Sequence, residues 1–306
     1  ALRGGGIYQK DGEFVMLDSE TNAILSLFPH PVKGRRKGNV VRIPRLQILD
    51  WLHLRKSGVT VRLSAENERI FASLASFDSI PQTPLSEGLN ATLRHYQADG
   101  YNWLAFLYEH RFGACLADDM GLGKTIQAIC LLAGLSEGKI ASHAGERLPH
   151  LIVVPPSLLF NWESEIARFY PALKVITYRG ADRNTDFSNA DVVLTSYGIV
   201  QRDADKLAHI RFHVLVFDEA QAVKNIQTGT TGACRGLKGL FSLILTGTPV
   251  ENHLGEYYSV MDIAVPGLLG EYGKFRRGMS GPSGPFLEKL VRRTRPFILR
   301  RTKKLI

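Results

Sequence analysis

The 306-residue sequence contains no apolar run approaching the ~20 residues that a membrane-spanning helix requires, which excludes such a helix. It opens with neither a leader pattern nor an initiator Met, so the chain is expected to be a piece of something longer. Cysteine is scarce: Cys115, Cys130 and Cys234 are odd in number and sit in apolar or ordinary contexts. That excludes a disulfide framework and a metal-binding set, and points to buried thiols in a reducing, intracellular compartment. Internal repeats and low-complexity tracts are absent too. What remains is ordinary for a soluble globular protein, with 44% hydrophobic and 22% charged residues. The length suits two domains, or one large domain with an appendage.

A balanced charge is also lacking, and the imbalance is local. Residues 1–88 carry 12 Lys/Arg against 9 Asp/Glu, residues 89–267 carry 15 against 18, and residues 268–306 carry 11 against 2. The net charge of +9 therefore sits in the last stretch. A polyanion partner near that end would explain it, and a solvated surface explains it at least as well.

Residues 1–88 read as a separate α+β accessory unit. Two strand-like runs, Ile7–Lys10 and Glu13–Leu17, flank Asp11-Gly12, a two-residue hairpin signal. Val40–Ile43 suggests another strand, and Pro44 suits the first position of a helix carrying Leu46, Leu49, Trp51, Leu52 and Leu54. Ser64 can cap a second helix from Ala65 to about Phe77, with Glu66 and Glu68 in its first turn. The cluster Lys33, Arg35, Arg36, Lys37 fits a solvated loop better than a nucleic-acid contact. No chemistry is legible in this unit, which leaves a protein partner as its open role.

Pro81–Pro84 reads as a linker, and the second unit is placed at residues 89–306. From there apolar runs alternate with helical stretches, the pattern of an α/β fold whose mostly parallel sheet is covered by helices on both faces. The runs are Phe112–Leu116, Leu151–Val154, Val175–Tyr178, Asp191–Leu194, Val214–Phe217 and Leu243–Leu245. Such continuous runs suit strands buried on both faces.

The first run leads into Ala117-Asp118-Asp119-Met120-Gly121-Leu122-Gly123-Lys124-Thr125 and then the helical stretch from Ile126. Strand, glycine-bearing turn and helix in that order make an anion site, because backbone N–H groups converge at the helix start. Gly121 and Gly123 let the backbone curl around a phosphate, Lys124 brings a charge, and Thr125 offers a hydroxyl to magnesium. The strict phosphate-loop pattern lacks its first glycine, whose place is taken by Asp118. A second element is Asp218-Glu219, closing the run Val214–Phe217, where open α/β sheets bind ligands. Asp218 is positioned to hold magnesium and Glu219 to orient and deprotonate an attacking water. Upstream, Gln97 carries an amide that can pair with an adenine edge, although by itself it reads as a helix-surface residue. Three more strand ends carry hydroxyls and amides: Pro155-Pro156-Ser157 with Asn161-Trp162, Thr195-Ser196-Tyr197, and Thr246-Gly247-Thr248. Each alone is an ordinary helix cap. Their shared placement favours a common site.

Together these residues resemble the Swi/Snf-type ATPases of helicase superfamily two, over roughly residues 90–304. Leu93–Gln97 resembles the family's Q motif and Asp118–Gln127 its motif I, Asp118 included. Pro155–Leu158 with Asn161-Trp162 resembles motif Ia, Thr195–Tyr197 motif Ib, Asp218–Gln221 with Lys224-Asn225 motif II, and Leu245–Pro249 motif III. Pro296–Lys303 is similar to the segment leading from the first motor lobe to the second.

The resemblance implies a RecA-like lobe of an ATP-driven motor on double-stranded DNA, with ATP and magnesium bound in a cleft between two lobes. It assigns Gln97 to adenine and Gly121, Leu122, Gly123, Lys124, Thr125 and Ile126 to the nucleotide. Pro155, Ser157, Asn161, Trp162, Thr195, Ser196, Lys224 and Asn225 become DNA-facing, while Gln221, Thr246, Gly247 and Thr248 couple nucleotide state to DNA. Gln221 stands where many members have His and cannot titrate. A second lobe, expected beyond Ile306, supplies arginine fingers worth ~10³–10⁵ in rate in related NTPases, so the chain alone is expected to be poorly active. A cytoplasmic or bacterial-nucleoid setting is expected over a nuclear one. Two other readings stay open: an RNA-directed helicase of the same superfamily, disfavoured by Thr246-Gly247-Thr248 where a Ser-Ala-Thr type is common, and a non-catalytic scaffold with a residual nucleotide site.

Overall fold

A computed structural model describes residues 7–10, 13–16, 46, 49, 62–75, 80–181, 183–247, 254–279, 284–304 and 306. Outside them lie the expected Asp11-Gly12 turn, the Val40–Ile43 strand, most of the helix after Pro44, the basic cluster at 33–37, and Thr248. The chain divides into two compact units, residues 1–65 and 66–306, so the Pro81–Pro84 stretch lies inside the second.

In the first unit, β1 (Ile7–Lys10) and β2 (Glu13–Met16) pair antiparallel, with Ile7 opposite Met16 and Lys10 opposite Glu13. Helix α1 (Ala65–Ala75) starts at the junction and buries Ile70, Phe71 and Leu74, spaced to share one helical face.

The second unit is built on a seven-stranded sheet. Its elements are α2 (His95–Glu109), β3 (Ala114–Leu116), α3 (Lys124–Ser136), β4 (His150–Val154), α4 (Leu159–Phe169), β5 (Val175–Thr177), β6 (Val192–Ser196), α5 (Tyr197–Arg202), α6 (Ala204–Leu207), β7 (Arg211–Asp218), α7 (Gly229–Gly236), β8 (Lys238–Leu245), α8 (Leu254–Ala264), α9 (Tyr272–Met279), α10 (Gly284–Thr294) and β9 (Ile298–Leu299). The strand order is β5-β6-β4-β7-β8-β3-β9, and every pairing is parallel. All six expected runs are strands of this sheet. The seventh, β9, was not expected as a strand, because two residues are too short to show a period.

Burial follows strand order. β4 and β6 are buried along their whole length, whereas β5, at the edge, is not. Covering helices bring the largest core side chains, including Trp103 and Leu104 from α2 and Trp162 from α4. A Cβ on Gly100 of α2 would sit 1.8 Å from Gln127 Oε1 and 2.9 Å from Arg301 Nη2, so a larger residue there must displace these two side chains.

Strand register then sets the site. Leu116 and Asp218 both lie opposite Leu245, and Leu299 lies opposite Leu116. Four adjacent strands therefore end at one level, with β3 and β7 two strand spacings, or about 10 Å, apart. The chain leaves β3 toward β4 but leaves β8 toward β9, on the other side of β3. With right-handed crossovers, their following helices go to opposite faces and a crevice opens between.

Candidate functional site

The turn from β3 to α3 takes its shape from two glycines in the left-handed region, Gly121 at φ 86° and Gly123 at φ 79°. Gly123 caps α3, and having no side chain it offers no acceptor to the first N–H groups of the helix. The first-turn N–H groups, which have no carbonyl of their own helix to reach, are thus left for a ligand. Lys124 is buried and donates to the Asp118 carbonyl at 2.9 Å, which holds its ammonium within the loop. Leu122 is buried, whereas Thr125 and Ile126 are half-buried at the helix start.

Gln97 braces this loop. Its Oε1 accepts from the Arg94 N–H at 2.9 Å and its Nε2 donates to the Leu122 carbonyl at 3.2 Å. A Cβ on Gly123 would fall 2.4 Å from that Nε2 and displace the brace, and its φ of 79° favours glycine independently. With both ends of its amide engaged, Gln97 acts here as a support of the loop.

Across the crevice, Asp218 is buried at the end of β7. Its Oδ2 accepts from the Trp162 indole N–H at 2.9 Å and its Oδ1 from the Glu219 N–H at 2.8 Å. Burial pushes the Asp218 carboxyl above its ordinary range, while these two donors and the nearby Lys124 charge hold it down. Below it, the Tyr197 hydroxyl donates to the Asp218 carbonyl at 2.8 Å, and burial raises that phenol well above its usual range. Glu219 adopts φ 47°, in the left-handed region where a non-glycine residue is uncommon. Gln221 Nε2 donates to Glu219 Oε2 at 2.9 Å, so the two side chains of this turn are joined.

The third strand end meets the loop directly. Thr246 N–H donates to the Leu116 carbonyl at 3.1 Å, and Gly247 lies beside Met120. Both Thr246 and Gly247 are buried.

The residues expected to face DNA divide between core and surface. Trp162 and Thr195 are fully buried. Trp162 serves Asp218, and Thr195 Oγ1 donates to the Tyr178 carbonyl at 2.8 Å. Ser196 is buried, and so is Lys224, whose Nζ is 4.0 Å from Glu256 Oε2. Their neighbours in sequence remain available: Ser157, Asn161 and Asn225 are exposed and Pro155 is half-buried. The reason is periodicity. Adjacent residues on a helix or strand point to different sides, so a motif read as one string divides between core and surface.

One residue tied to this loop was not singled out from sequence. Arg301, just past β9, pairs with the fully buried Asp118: Nε donates to Oδ1 at 2.9 Å and Nη2 to Oδ2. Its Nη2 also reaches Gln127 Oε1 at 2.8 Å, and its Nη1 bonds the Tyr96 carbonyl. The only sequence signal was the resemblance of Pro296–Lys303 to a family segment.

With this geometry in view, the comparisons decide the family. The model of the SNF2-related domain matches residues 96–306. The chain belongs to that family. It is 39% identical over 259 residues to YwqA of Bacillus subtilis, named for ATP-dependent helicase/translocase activity, a match covering 81% of this chain and 28% of that protein. It is 36% identical over 243 residues to the TATA-binding protein-associated factor MOT1 of Saccharomyces cerevisiae, covering 71% of this chain and 13% of MOT1. Among solved structures, the SWI2/SNF2 ATPase core of Sulfolobus solfataricus in complex with dsDNA matches with a TM-score of 0.67 at 36% identity. That match covers 73% of this chain and 47% of the core. The fold is RecA-like, and the chain is a Swi/Snf-type motor lobe of helicase superfamily two. It spans only a small part of these curated relatives.

Proposed function

We propose that this lobe binds ATP with magnesium and contributes half of an ATP-hydrolysing site in a motor that tracks double-stranded DNA. The observation that carries the reading is the shared level of Leu116, Leu245 and Asp218, which sets the glycine loop and the acidic pair across one crevice. The residues fit the ligand. Two left-handed glycines and an uncapped helix start form the phosphate cradle, with the Lys124 ammonium held inside it. Thr125 and Asp218 would hold magnesium, which supplies charge neutralisation on the phosphates. Glu219, reached by Gln221, would orient the attacking water and take its proton. Gln97 keeps one N–H and one lone pair beyond its two present bonds, the pair of groups an adenine edge would need.

The opposite wall of the cleft is assigned to a second RecA-like lobe, consistent with a match to 47% of a SWI2/SNF2 ATPase core. The exposed Ser157, Asn161 and Asn225 are the positions proposed to meet DNA. An intracellular setting and a role in remodelling protein–DNA complexes belong to the same proposal.

The test is ATP turnover by the full-length protein with duplex DNA, RNA or neither. Stimulation by duplex DNA that Glu219→Gln abolishes is the expected outcome. Equal stimulation by RNA would overturn the DNA assignment, and nucleotide binding without turnover in any condition would favour a scaffold.

A further inference from the structure

We propose that Arg301 is a positioning residue of the nucleotide site, and that it ties the state of the loop to the chain segment leaving the lobe. This rests on the nucleotide reading of Asp118–Thr125.

The geometry is specific. One guanidinium joins three elements: the Asp118 carboxylate at the loop's start, the Gln127 amide oxygen on α3, and the Tyr96 carbonyl at the start of α2. The guanidinium carbon also lies 5.2 Å from the centre of the Tyr96 ring. Tyr96 precedes Gln97, the brace on the Leu122 carbonyl, so Arg301 sets the base-facing helix against the phosphate-facing loop. Gln127 in turn donates to Asp118 Oδ2 at 3.4 Å and to the Gly123 carbonyl at 3.0 Å, the residue that caps α3. The fork geometry of arginine serves several acceptors at once, which a lysine cannot reproduce.

The backbone around Arg301 repeats the tie. Ala117 N–H donates to the Leu299 carbonyl at 2.7 Å and Asp119 N–H to the Arg301 carbonyl at 3.0 Å. In the other direction, Arg301 N–H donates to Asp118 Oδ1 at 3.0 Å and Lys303 N–H to Asp119 Oδ2 at 3.1 Å. The two loop acids thus hold two amides of the departing chain. A shift of Asp118 or Asp119 on nucleotide binding must be felt at residues 301 and 303, and by linkage the reverse holds.

The experiment compares wild type, Arg301→Lys, Arg301→Met with Asp118→Asn, and Lys124→Ala as the control for the nucleotide reading. The probes are ATP and GTP titrations, thermal midpoints, and hydrogen exchange of the Arg301 and Lys303 amides with and without ATP. In wild type, ATP changes the exchange of those two amides. In Arg301→Lys, which keeps the charge and so avoids a lone buried carboxylate, ATP affinity falls on the order of tenfold, the scale for losing a supporting partner of a site. The preference for ATP over GTP narrows, and the response of residue 303 to ATP is lost. The double variant, with both charges removed, behaves alike. If Arg301→Lys lowers only the thermal midpoint, with ATP affinity within about twofold of wild type and the amide response intact, Arg301 is merely structural and the proposal is overturned. ATP binding by Lys124→Ala equal to wild type would instead sink the nucleotide reading, a different and recognisable failure.

Discussion

Replacing Trp162 by Phe isolates one bond at the centre of the site. The indole N–H is the donor that Asp218 Oδ2 accepts, at 2.9 Å, and both side chains are buried. A hydrogen bond to an ionised group contributes roughly 1.5–3 kcal/mol, against about 0.5–1.5 when both partners are neutral. Phe fills part of the space and leaves a packing loss on the order of 1 kcal/mol. With Asp218 ionised, the expected destabilisation is therefore ~2.5–4 kcal/mol. The sign with pH follows from the direction of the carboxyl. Burial raises its folded-state value above the unfolded one, and the Trp162 bond opposes that rise by favouring the charged form. Losing the bond costs most where Asp218 is charged, so the difference between the two proteins shrinks by ~1 kcal/mol as Asp218 takes up a proton on acidification. Packing does not titrate, so the pH-dependent part reports the bond alone. Urea unfolding of both proteins across the acid range supplies the measurement. A destabilisation under ~0.5 kcal/mol, or one of equal size at every pH, would refute the assignment of Trp162 as a supporter of ionised Asp218.

Other consequences are equally open to measurement. Lys124→Ala should weaken ATP binding by at least about tenfold in a titration, whereas Glu219→Gln should keep binding and remove turnover. A Cβ on Gly100 collides with Gln127 Oε1 and comes within 2.9 Å of Arg301 Nη2, so Gly100→Ala should lower stability by about 1–3 kcal/mol in thermal unfolding. At the opposite end of the strands, His150 and His213 stack with ring centres 5.0 Å apart beside a cavity of about 280 Å³, and burial pushes them down to about 3 and about 4. Both values lie below the unfolded ~6.5, so stability is full above that pH and falls as pH drops toward the folded values, by up to ~1.4 kcal/mol per pH unit for each His. His150→Leu should flatten that fall in acid unfolding curves, and an unchanged slope would contradict it.

The contrast between string and structure is sharpest at motif Ia. Pro155-Pro156-Ser157 and Asn161-Trp162 read as one DNA-facing group, yet Trp162 turns inward to a carboxylate 56 residues away. Thr195 likewise bonds the Tyr178 carbonyl inside the sheet. A linear motif records which residues a site uses. It does not record which of them touch the ligand and which hold those that do, since that depends on the side of the helix or strand each one occupies.

What the sequence determined by itself was local. The glycine loop, its lysine and the helix it opens are contiguous, and their chemistry follows from backbone freedom at Gly121 and Gly123. The six apolar runs were equally legible as strands of the sheet, although only the fold shows that one of them, β5, lies at its edge. Tertiary structure decided the rest. Register brought Asp218 level with Leu116, and β9 joined the sheet through pairing with β3, not through any period of its own. The same pairing carried Arg301 to Asp118 across 183 residues of chain. Nothing near either residue announces the other. A buried carboxylate needs a partner wherever the fold can supply one, and only the folded chain shows where that is.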